Sequence, residues 1–313
     1  MIATELEEEV ALTLRAEPRG VSVVVPSYNH AQFVEATLRS IMKQTLPPAE
    51  LIVIDDGSSD DSTRIIERAL SNCPFPCELI ARDNRGLCAT LNEGFARTRG
   101  EYFAYLGSDD LWLPDFLKAR VGLLESRAGA VLAYGHAYFI DQQDRIVDST
   151  ADWARYADGN AREMLLQTTA PMSPTVLYRR AALEQQHWNE ESKLEDYDLY
   201  LRLSAAGEFA FDTRILSAWR RHGSNISWDQ TLMLEEQLQA QREAALRFGL
   251  TEKQVAKLQL TTRFSRAEDF LRVGQKSEAL TLLLNNWRGA NSPRLAARMF
   301  LRLLIPNSVM RGR

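Results

Sequence analysis

The stretch VSVVVPSYNHAQFVEATLRSIMKQTLPPAELIVIDDGSSDDS, residues 21–62, decides the fold because it places one amphipathic segment between two apolar runs. Residues 21–25 and 51–54 are rich in valine and isoleucine, which is typical of strands buried on both faces of a parallel sheet. Between them, residues 33–42 carry apolar side chains at helical spacing. A strand, a helix and a second strand joined by short polar turns predict a right-handed βαβ unit.

The same alternation continues to residue 110. A second helix is predicted over residues 62–70, a third strand over 77–83, a third helix over 87–100 that ends at Gly100, and a fourth strand over 101–110. This order indicates an α/β fold that is Rossmann-like, with a mostly parallel central sheet flanked by helices.

Beyond residue 130 the alternation is looser. Residues 130–141 predict a strand, residues 194–207 predict a helix, and residues 209–223 predict a pair of strands. From about Thr231 onward the pattern is helical, and no internal repeat is visible. We therefore expect a C-terminal helical extension after the α/β part of the chain.

Composition and charge exclude several classes of protein. The formal net charge is -5 and the sequence pI is about 5.6, so a basic surface for nucleic acid is not expected. Cys73, Cys77 and Cys88 lack the spacing of a zinc or redox site, which indicates free thiols in a reducing cytoplasm. No apolar run reaches the roughly 18 residues of a membrane-spanning helix. We expect a cytoplasmic protein, with contact at the inner face of the membrane left open.

Four polar clusters follow the carboxyl ends of the predicted strands. They occupy residues 26–30, 55–61, 82–86 and 107–110. Ligands bind at this edge of an open α/β sheet, so the clusters predict one shared site. The phosphate loop and the Gly-x-Gly-x-x-Gly turn are absent. The carboxylates that dominate the clusters can instead hold a divalent metal, and that metal can bridge to a diphosphate.

Four ordered segments carry a resemblance to a known family. The stretch at residues 21–62, NRGLCATLNEGFARTRGEYFAYLGSDDLWLPDFL at 84–117, LEDYDLYLRL at 194–203 and WRRHGSNIS at 219–227 together resemble family 2 glycosyltransferases, which have the GT-A fold. The resemblance implies inverting transfer from a nucleotide-sugar, usually a UDP-sugar, with Mn²⁺ or Mg²⁺. It divides the chain into an acidic leader (1–19), a GT-A domain (20–228) with a nucleotide-binding half (20–115) and an acceptor-binding half (116–228), and a helical region (229–313).

The resemblance also implies roles for single residues. Asp196 falls on the catalytic base, with Glu195 beside it, and the base would deprotonate the acceptor hydroxyl. The metal would be held by Asp109, Asp110 and His222. The nucleotide-binding residues would be Pro26, Tyr28, Asn29, Asp56, Asn84, Gly86, Asn92, Ser108 and Asp109. Trp188 and Arg179 are weaker candidates for contact with a saccharide or lipid-linked acceptor.

The sequence departs from the family at Gly107, where a carboxylate is often found. Either Asp109 or Asp110 is then the principal metal ligand, and the sequence leaves this choice open. The Gln-x-x-Arg-Trp signature of processive synthases is absent too, so we expect transfer of a single hexosyl or N-acetylhexosaminyl unit.

Each candidate also has a purely structural alternative. Asp56 is a turn former, Asp196 is placed to cap a helix or pair with Arg202, and His222 is placed in a loop. At the level of the whole protein, the alternatives are a catalytically silent module that binds nucleotide-sugar or scaffolds a glycan assembly complex, and a sugar-1-phosphate nucleotidyltransferase. The second needs a glycine-rich phosphate loop after the first strand, where this chain has VPSYNH.

The last helix has two interpretations. Arg294, Arg298 and Arg302 recur at four-residue spacing, with apolar residues between them. A basic amphipathic helix of this kind predicts peripheral membrane contact through residues 293–313. The alternative is a packed helix with a solvated arginine stripe. Oligomeric state is not indicated by the sequence.

Overall fold

The structure, a computed structural model, describes residues 20–223, 229–290 and 292–305. The acidic leader expected at residues 1–19 lies outside this part of the chain. Residues 224–228, which include the end of the last family segment, and residues 306–313 also lie outside it.

A single mixed β-sheet runs through the described residues. Its strands are β1 Val21–Ser27, β2 Glu50–Asp55, β3 Cys77–Ala81, β4 Tyr102–Tyr105, β5 Leu111–Trp112, β6 Ala130–Ile140, β7 Ile146–Ser149, β8 Leu177–Arg179 and β9 Glu208–Arg220. The strand order is β3-β2-β1-β4-β8-β6-β9-β5, with β7 beside β6. Neighbouring strands among β1 to β4 are parallel. Strand β8 then runs antiparallel to β4 and β6, so the expected parallel sheet is found among β1 to β4 and the rest of the sheet is mixed.

Helices cover both faces of the sheet. They are α1 Val34–Met42, α2 Ser62–Leu70, α3 Leu87–Arg97, α4 Phe116–Glu125, α5 Arg162–Leu166, α6 Arg180–Leu183, α7 Glu195–Ala206, α8 Gln230–Phe248, α9 Glu252–Arg272, α10 Lys276–Asn286 and α11 Pro293–Arg302. Every residue of β1 is buried beneath them. Alternate side chains of β1 face opposite apolar clusters, which explains its nearly continuous apolar sequence.

Close packing between α3 and β1 fixes the position of the helix on the strand. A Cβ atom at Gly94 of α3 would lie 2.6 Å from Cγ1 of Val24, so only glycine lets the helix approach the strand this closely. Each fully buried valine of β1 contributes about 1.5–3 kcal/mol relative to an exposed one. The strand is therefore a rigid base for the loop that follows it.

Two expectations about element boundaries are wrong. Residues 209–223 do not form a strand pair, because β9 is one strand that pairs with β6 along its length. The pairing is irregular near Gly135, where the register shifts. Helix α3 does not reach Gly100. It ends at Arg97, since Thr98 is already extended, and the N–H of Gly100 donates to Oγ of Ser22 at 2.7 Å.

The C-terminal helices have a hydrophobic cluster of their own, yet α8 also joins the α/β core. Phe264, Phe270 and Met299 lie in the helical cluster, whereas Ala240 and Ala244 of α8 lie in the core of the sheet domain. The division at residue 228 stays a prediction. Among the described residues, no helix combines the length and apolar character needed to cross a membrane.

Candidate active site

The loops after β1 and β2 are bound to each other at the carboxyl edge of the sheet. Asn29 has a φ of +54°, and its Oδ1 accepts a hydrogen bond from the N–H of Ser59 at 2.8 Å. Its own N–H donates to Oγ of Ser58 at 2.8 Å. Pro26 is buried in β1, while the ring of Tyr28 is 49% exposed and open to a ligand. The loop thus presents an aromatic face on a fixed backbone.

Asp56 is buried and organises the loop after β3. Its carboxylate pairs with Arg82 and accepts the backbone N–H groups of Arg85 at 2.8 Å and Gly86 at 2.9 Å. Gly86 has a φ of +87°, and Asn84 lies exposed in the same loop. The structural alternative of a simple turn former does not account for this arrangement, because Asp56 bonds across to another loop. Its contact with a nucleobase stays a prediction.

Asn92 has a different environment from the one expected. Its Oδ1 accepts the N–H of Trp188 at 2.9 Å, and its Nδ2 donates to the carbonyl of Trp188 at 2.9 Å. The side-chain amide therefore holds the backbone of the loop before α7. Asn92 thus joins α3 to the loop that contains Trp188, and its contact with a nucleotide stays a prediction.

Three side chains from distant parts of the chain form a candidate metal centre. Nε2 of His222 lies 2.7 Å from Oδ2 of Asp109, and Nδ1 of His30 lies 3.8 Å from Oδ1 of the same carboxylate. One donor atom from each of the three lies within 4.8 Å of the other two. Nδ1 of His30 is also 2.7 Å from Oγ of Ser108. Burial lowers the pKa of His30, and the charge of Asp109 partly offsets this.

Asp110 points away from this cluster into the protein. Its Oδ1 accepts the backbone N–H of Arg220 at 2.9 Å, and its carbonyl accepts the hydroxyl of Thr37 at 2.8 Å. Burial, followed by the charge of Asp109, raises the pKa of Asp110 well above its usual range. Within the described residues, the group of possible metal ligands contains Asp109 and omits Asp110. The geometry therefore favours Asp109 as the principal ligand, and the role of Asp110 as a ligand stays a prediction.

Gly107 leaves the room that the two aspartates occupy. A Cβ atom added at Gly107 would lie 2.9 Å from Oδ1 of Asp109 and 3.3 Å from Oδ2 of Asp110. Arg220, which is 1% exposed, donates from Nε to the carbonyl of Asp109 at 2.7 Å. In the loop after β4, the carboxylates of Asp109 and Asp110 thus lie close to Gly107, which has no side chain. Arg220 of β9 holds the backbone of this loop.

Glu195 and Asp196 begin α7 at the same edge of the sheet. Oε1 of Glu195 lies 3.5 Å from the hydroxyl of Tyr105, the last residue of β4. Burial and the charge of Asp196 raise the pKa of Glu195 to about 8, and burial raises the pKa of Asp196 to about 6. Arg202 pairs with Asp198 at 2.9 Å. The structural alternative in which Asp196 pairs with Arg202 is therefore wrong.

The segment just before α7 is held by the C-terminal helices. Oε2 of Glu236, on α8, accepts the hydroxyl of Ser192 and the N–H of Lys193, each at 2.8 Å. The catalytic candidates Glu195 and Asp196 follow directly. The extension after residue 229 consequently contributes to the position of the candidate base.

The two acceptor candidates lie away from the open edge. Trp188 is 2% exposed and packs against Phe95, Phe103 and Tyr105, so its ring offers no free face for a sugar. Arg179 donates to the carbonyls of Leu124 and Ala130, which places it at the opposite end of β4 from Asp109. In the structure, neither side chain is exposed at the edge of the sheet where an acceptor could contact it.

Most other candidates converge on one edge, together with two residues that the sequence analysis missed. His30 and Arg220 are the missed residues. A histidine directly after the Tyr28-Asn29 pair was visible in the sequence, but its proximity to His222 depends on strand order. Arg220 was hidden in the Arg-Arg-His run, where nothing distinguishes it from Arg221.

Comparison with known proteins identifies the family of the chain. The profile described as Glycosyl transferase family 2 matches residues 22–186, more than half of the chain. Chondroitin synthase of Escherichia coli is 27% identical over 246 residues, which are 78% of this chain and 35% of that protein. The uncharacterized glycosyltransferase alr2836 of Nostoc sp. is 29% identical over 53% of this chain and 52% of its own length. The chain thus spans about a third to a half of these two relatives.

Solved structures show the same fold at low sequence identity. TarS 1-349 of S. aureus in complex with UDP-GlcNAc has a TM-score of 0.62 at 16% identity, covering 94% of this chain and 89% of that one. The mannosyltransferase PcManGT of Pyrobaculum calidifontis, in complex with GDP-Man and Mn²⁺, has a TM-score of 0.60 at 17% identity, covering 95% of this chain and 85% of that one. With its family profile over residues 22–186 and its GT-A fold, the chain belongs to glycosyl transferase family 2.

Proposed function

We propose that the protein transfers a single sugar from a UDP-sugar to a hydroxyl of a saccharide or lipid-linked acceptor, with inversion at the anomeric carbon, in polysaccharide or glycan biosynthesis. The observation that carries this proposal is the placement of two groups at one sheet edge. The metal centre candidates Asp109 and His222 follow β4 and β9, and the carboxylates Glu195 and Asp196 begin α7 beside the end of β4.

The donor is argued from the nucleotide side of the edge. Tyr28 presents a ring for stacking on a base, and Asp56 is a buried acceptor beside the Arg82–Gly86 loop. The structural neighbour TarS is described in complex with UDP-GlcNAc and with UDP, which supports a uridine nucleotide. Because the neighbour PcManGT is in complex with GDP-Man, a donor panel must include GDP-sugars as well.

A divalent metal fits the donor atoms of the cluster. The carboxylate of Asp109 and the imidazole of His222 are suitable ligands for Mn²⁺, and the carboxylate alone suits Mg²⁺. When bound, such an ion neutralises the charge that grows on the leaving diphosphate. Asp109 and His222 would hold it, and Arg220 would keep the Asp109 backbone in place.

Asp196 is the proposed general base. Its raised pKa of about 6 leaves it ionised at neutral pH yet basic enough to accept a proton from the acceptor hydroxyl. Glu195, with a pKa of about 8, would be mostly protonated at pH 7 and could donate a hydrogen bond to the acceptor. Attack from the face opposite the diphosphate inverts the anomeric centre.

The C-terminal segment includes a surface suited to anionic lipid. Residues 279–313 contain six arginines and no acidic residue, although the whole chain has a formal net charge of -5. On this segment Trp287 is 56% exposed, Leu301 63% and Leu304 78%. Exposed apolar side chains beside arginines favour contact with an anionic membrane interface, where a lipid-linked acceptor would reside. Arg302 pairs with Glu268, so it contributes less to this surface than Arg294 and Arg298.

Vesicle sedimentation tests the membrane part separately. We expect the protein to co-sediment with vesicles containing phosphatidylglycerol and to remain in solution with phosphatidylcholine alone. Arg294→Glu combined with Arg298→Glu should abolish sedimentation, whereas Arg64→Glu, on the exposed face of α2, should not. Equal sedimentation of the double variant and the wild type would contradict the membrane contact without affecting the proposed chemistry.

A donor panel tests the transfer itself. The protein is incubated with UDP-, GDP- and dTDP-sugars and Mn²⁺, and the release of free nucleoside diphosphate is measured without acceptor. We expect slow release from a UDP-sugar and none after chelation with EDTA. Binding without release would instead support the catalytically silent module, and formation of pyrophosphate would support the nucleotidyltransferase.

A further inference from the structure

The loop after β1 brings a histidine to the candidate metal centre from the nucleotide side. His30 follows Tyr28 and Asn29, and its N–H donates to Oγ of Ser62 at 3.0 Å, which fixes the loop to the start of α2. Its ring packs edge-on against the ring of His222, with centroids 5.4 Å apart. The backbone contact fixes the loop, and the ring contact places the imidazole of His30 beside that of His222.

We infer that His30 is a third protein ligand of the metal, so that the centre has two imidazoles and one carboxylate. This inference rests on the metal-assisted transfer proposed above. Its donor atom, Nδ1, already lies 3.8 Å from Oδ1 of Asp109. The side chains of Asp109 and His222 are 12% and 4% exposed, and that of His30 is 22% exposed, which leaves an opening for solvent or a diphosphate.

The aromatic ring of Phe33 supports both imidazoles. Its centroid lies 6.2 Å from that of His30 and 5.2 Å from that of His222. Cζ of Arg220 lies over the Phe33 ring, 4.8 Å from its centroid. The two histidines are thus held in position by packing before any ion binds, as a metal site requires of its ligands.

The imidazole of His30 also compensates for the carboxylate missing at Gly107. A Cβ atom at that position would lie 2.9 Å from Oδ1 of Asp109, a collision that only a shift of the Asp109 carboxylate would relieve. A ligand that arrives from the β1 loop avoids this collision. The centre would therefore carry one negative charge from its protein ligands, while a site with two carboxylates would carry two.

The ligand set predicts which ions bind best. Imidazole nitrogen suits Co²⁺, Zn²⁺ and Mn²⁺, whereas Mg²⁺ prefers oxygen ligands throughout. We expect Co²⁺ and Zn²⁺ to bind at least tenfold more tightly than Mg²⁺. A site formed by carboxylates alone would show a much smaller preference.

Metal binding without any sugar substrate tests the inference. Mn²⁺ is added to the full chain, and pulsed electron paramagnetic resonance counts the ¹⁴N nuclei coupled to the ion. We expect two imidazole nitrogens in the wild type and one in His30→Ala, with Co²⁺ affinity lower by about tenfold or more. His187→Ala is the matched control, because His187 is one of four histidines and lies away from the cluster.

A second variant keeps the test decisive if His30→Ala folds poorly. His30→Asp replaces the nitrogen by a carboxylate, so Mg²⁺ affinity should rise relative to Co²⁺ while one ¹⁴N coupling is lost. If the wild type shows one coupled nitrogen, or if His30→Ala keeps both, the inference is wrong, and metal-dependent release of nucleoside diphosphate would still stand. If the wild type binds no ion and releases the diphosphate in EDTA, the metal assistance of the proposed function fails as well.

Discussion

Replacing Glu195 by glutamine separates the roles of the two adjacent carboxyl groups. With a pKa of about 8, Glu195 is protonated in roughly nine molecules out of ten at pH 7. Glutamine has nearly the same shape as this neutral form and also donates a hydrogen bond. We therefore expect Glu195→Gln to keep kcat/KM at pH 7 within about threefold of the wild type.

The matching change at Asp196 should be far more damaging. With a pKa of about 6, Asp196 is ionised in roughly nine molecules out of ten at pH 7, and asparagine cannot accept the proton. Loss of a general base lowers the rate by about 10²- to 10⁴-fold. Asp198→Asn is the control on the same helix. Because Asp198 pairs with Arg202 and is not the proposed base, its replacement should leave the rate of transfer nearly unchanged.

The assay measures initial rates of sugar transfer from pH 5 to pH 9, with donor binding measured in parallel. For the wild type, kcat/KM should fall by nearly tenfold from pH 7 to pH 5, because Asp196 becomes protonated below pH 6. The reasoning is refuted if Glu195→Gln loses more than about 100-fold at pH 7 while Asp196→Asn retains activity. That result would make Glu195 the base.

Three further predictions follow from the same contacts. Glu195→Gln should become more stable than the wild type as pH rises from about 4.5 to about 8, because the raised pKa of Glu195 means that its ionisation disfavours the folded state. The difference in free energy of unfolding, measured by urea unfolding at each pH, should reach at most about 5 kcal/mol. Gly107→Ala should destabilise the fold by about 1–3 kcal/mol and weaken Mn²⁺ binding, since its Cβ would lie 2.9 Å from Asp109, whereas Gly122→Ala, with open space around it, should not. Asp56→Ala should raise the Kd for UDP by at least about tenfold in calorimetry, because Arg82 and two backbone N–H groups lose their acceptor; unchanged binding would show that Asp56 does not serve the nucleotide.

The sequence predicted the fold where burial imposes a simple pattern. Strand β1 is buried on both faces, so its apolar run was sufficient to place it, and helix α2 was predicted with the bounds that the structure has. Strand β9 was not, because its polar positions Asp212 and Thr213 resemble a turn. They remain within the strand since β6 pairs with both sides of this irregularity.

The site was less predictable because several of its contacts join distant residues. His30 and His222 are 192 positions apart, and only the order of β1, β4 and β9 in the sheet brings them together. The choice between Asp109 and Asp110 depends on which carboxylate points outward, and adjacent residues in sequence cannot reveal that. Trp188 was assigned to the acceptor from its position in a loop, yet its large apolar ring is buried in the core.

The contact from α8 to the segment before α7 has a consequence for how this protein can be divided. Glu236 accepts hydrogen bonds from Ser192 and Lys193, so the helical extension helps to determine where Glu195 and Asp196 begin their helix. A shortened protein ending near residue 228 would lose this anchor even if its sheet folded. In chimeras that exchange residues 116–228 between relatives, α8 should be exchanged together with the loop before α7, because the two are joined by these hydrogen bonds.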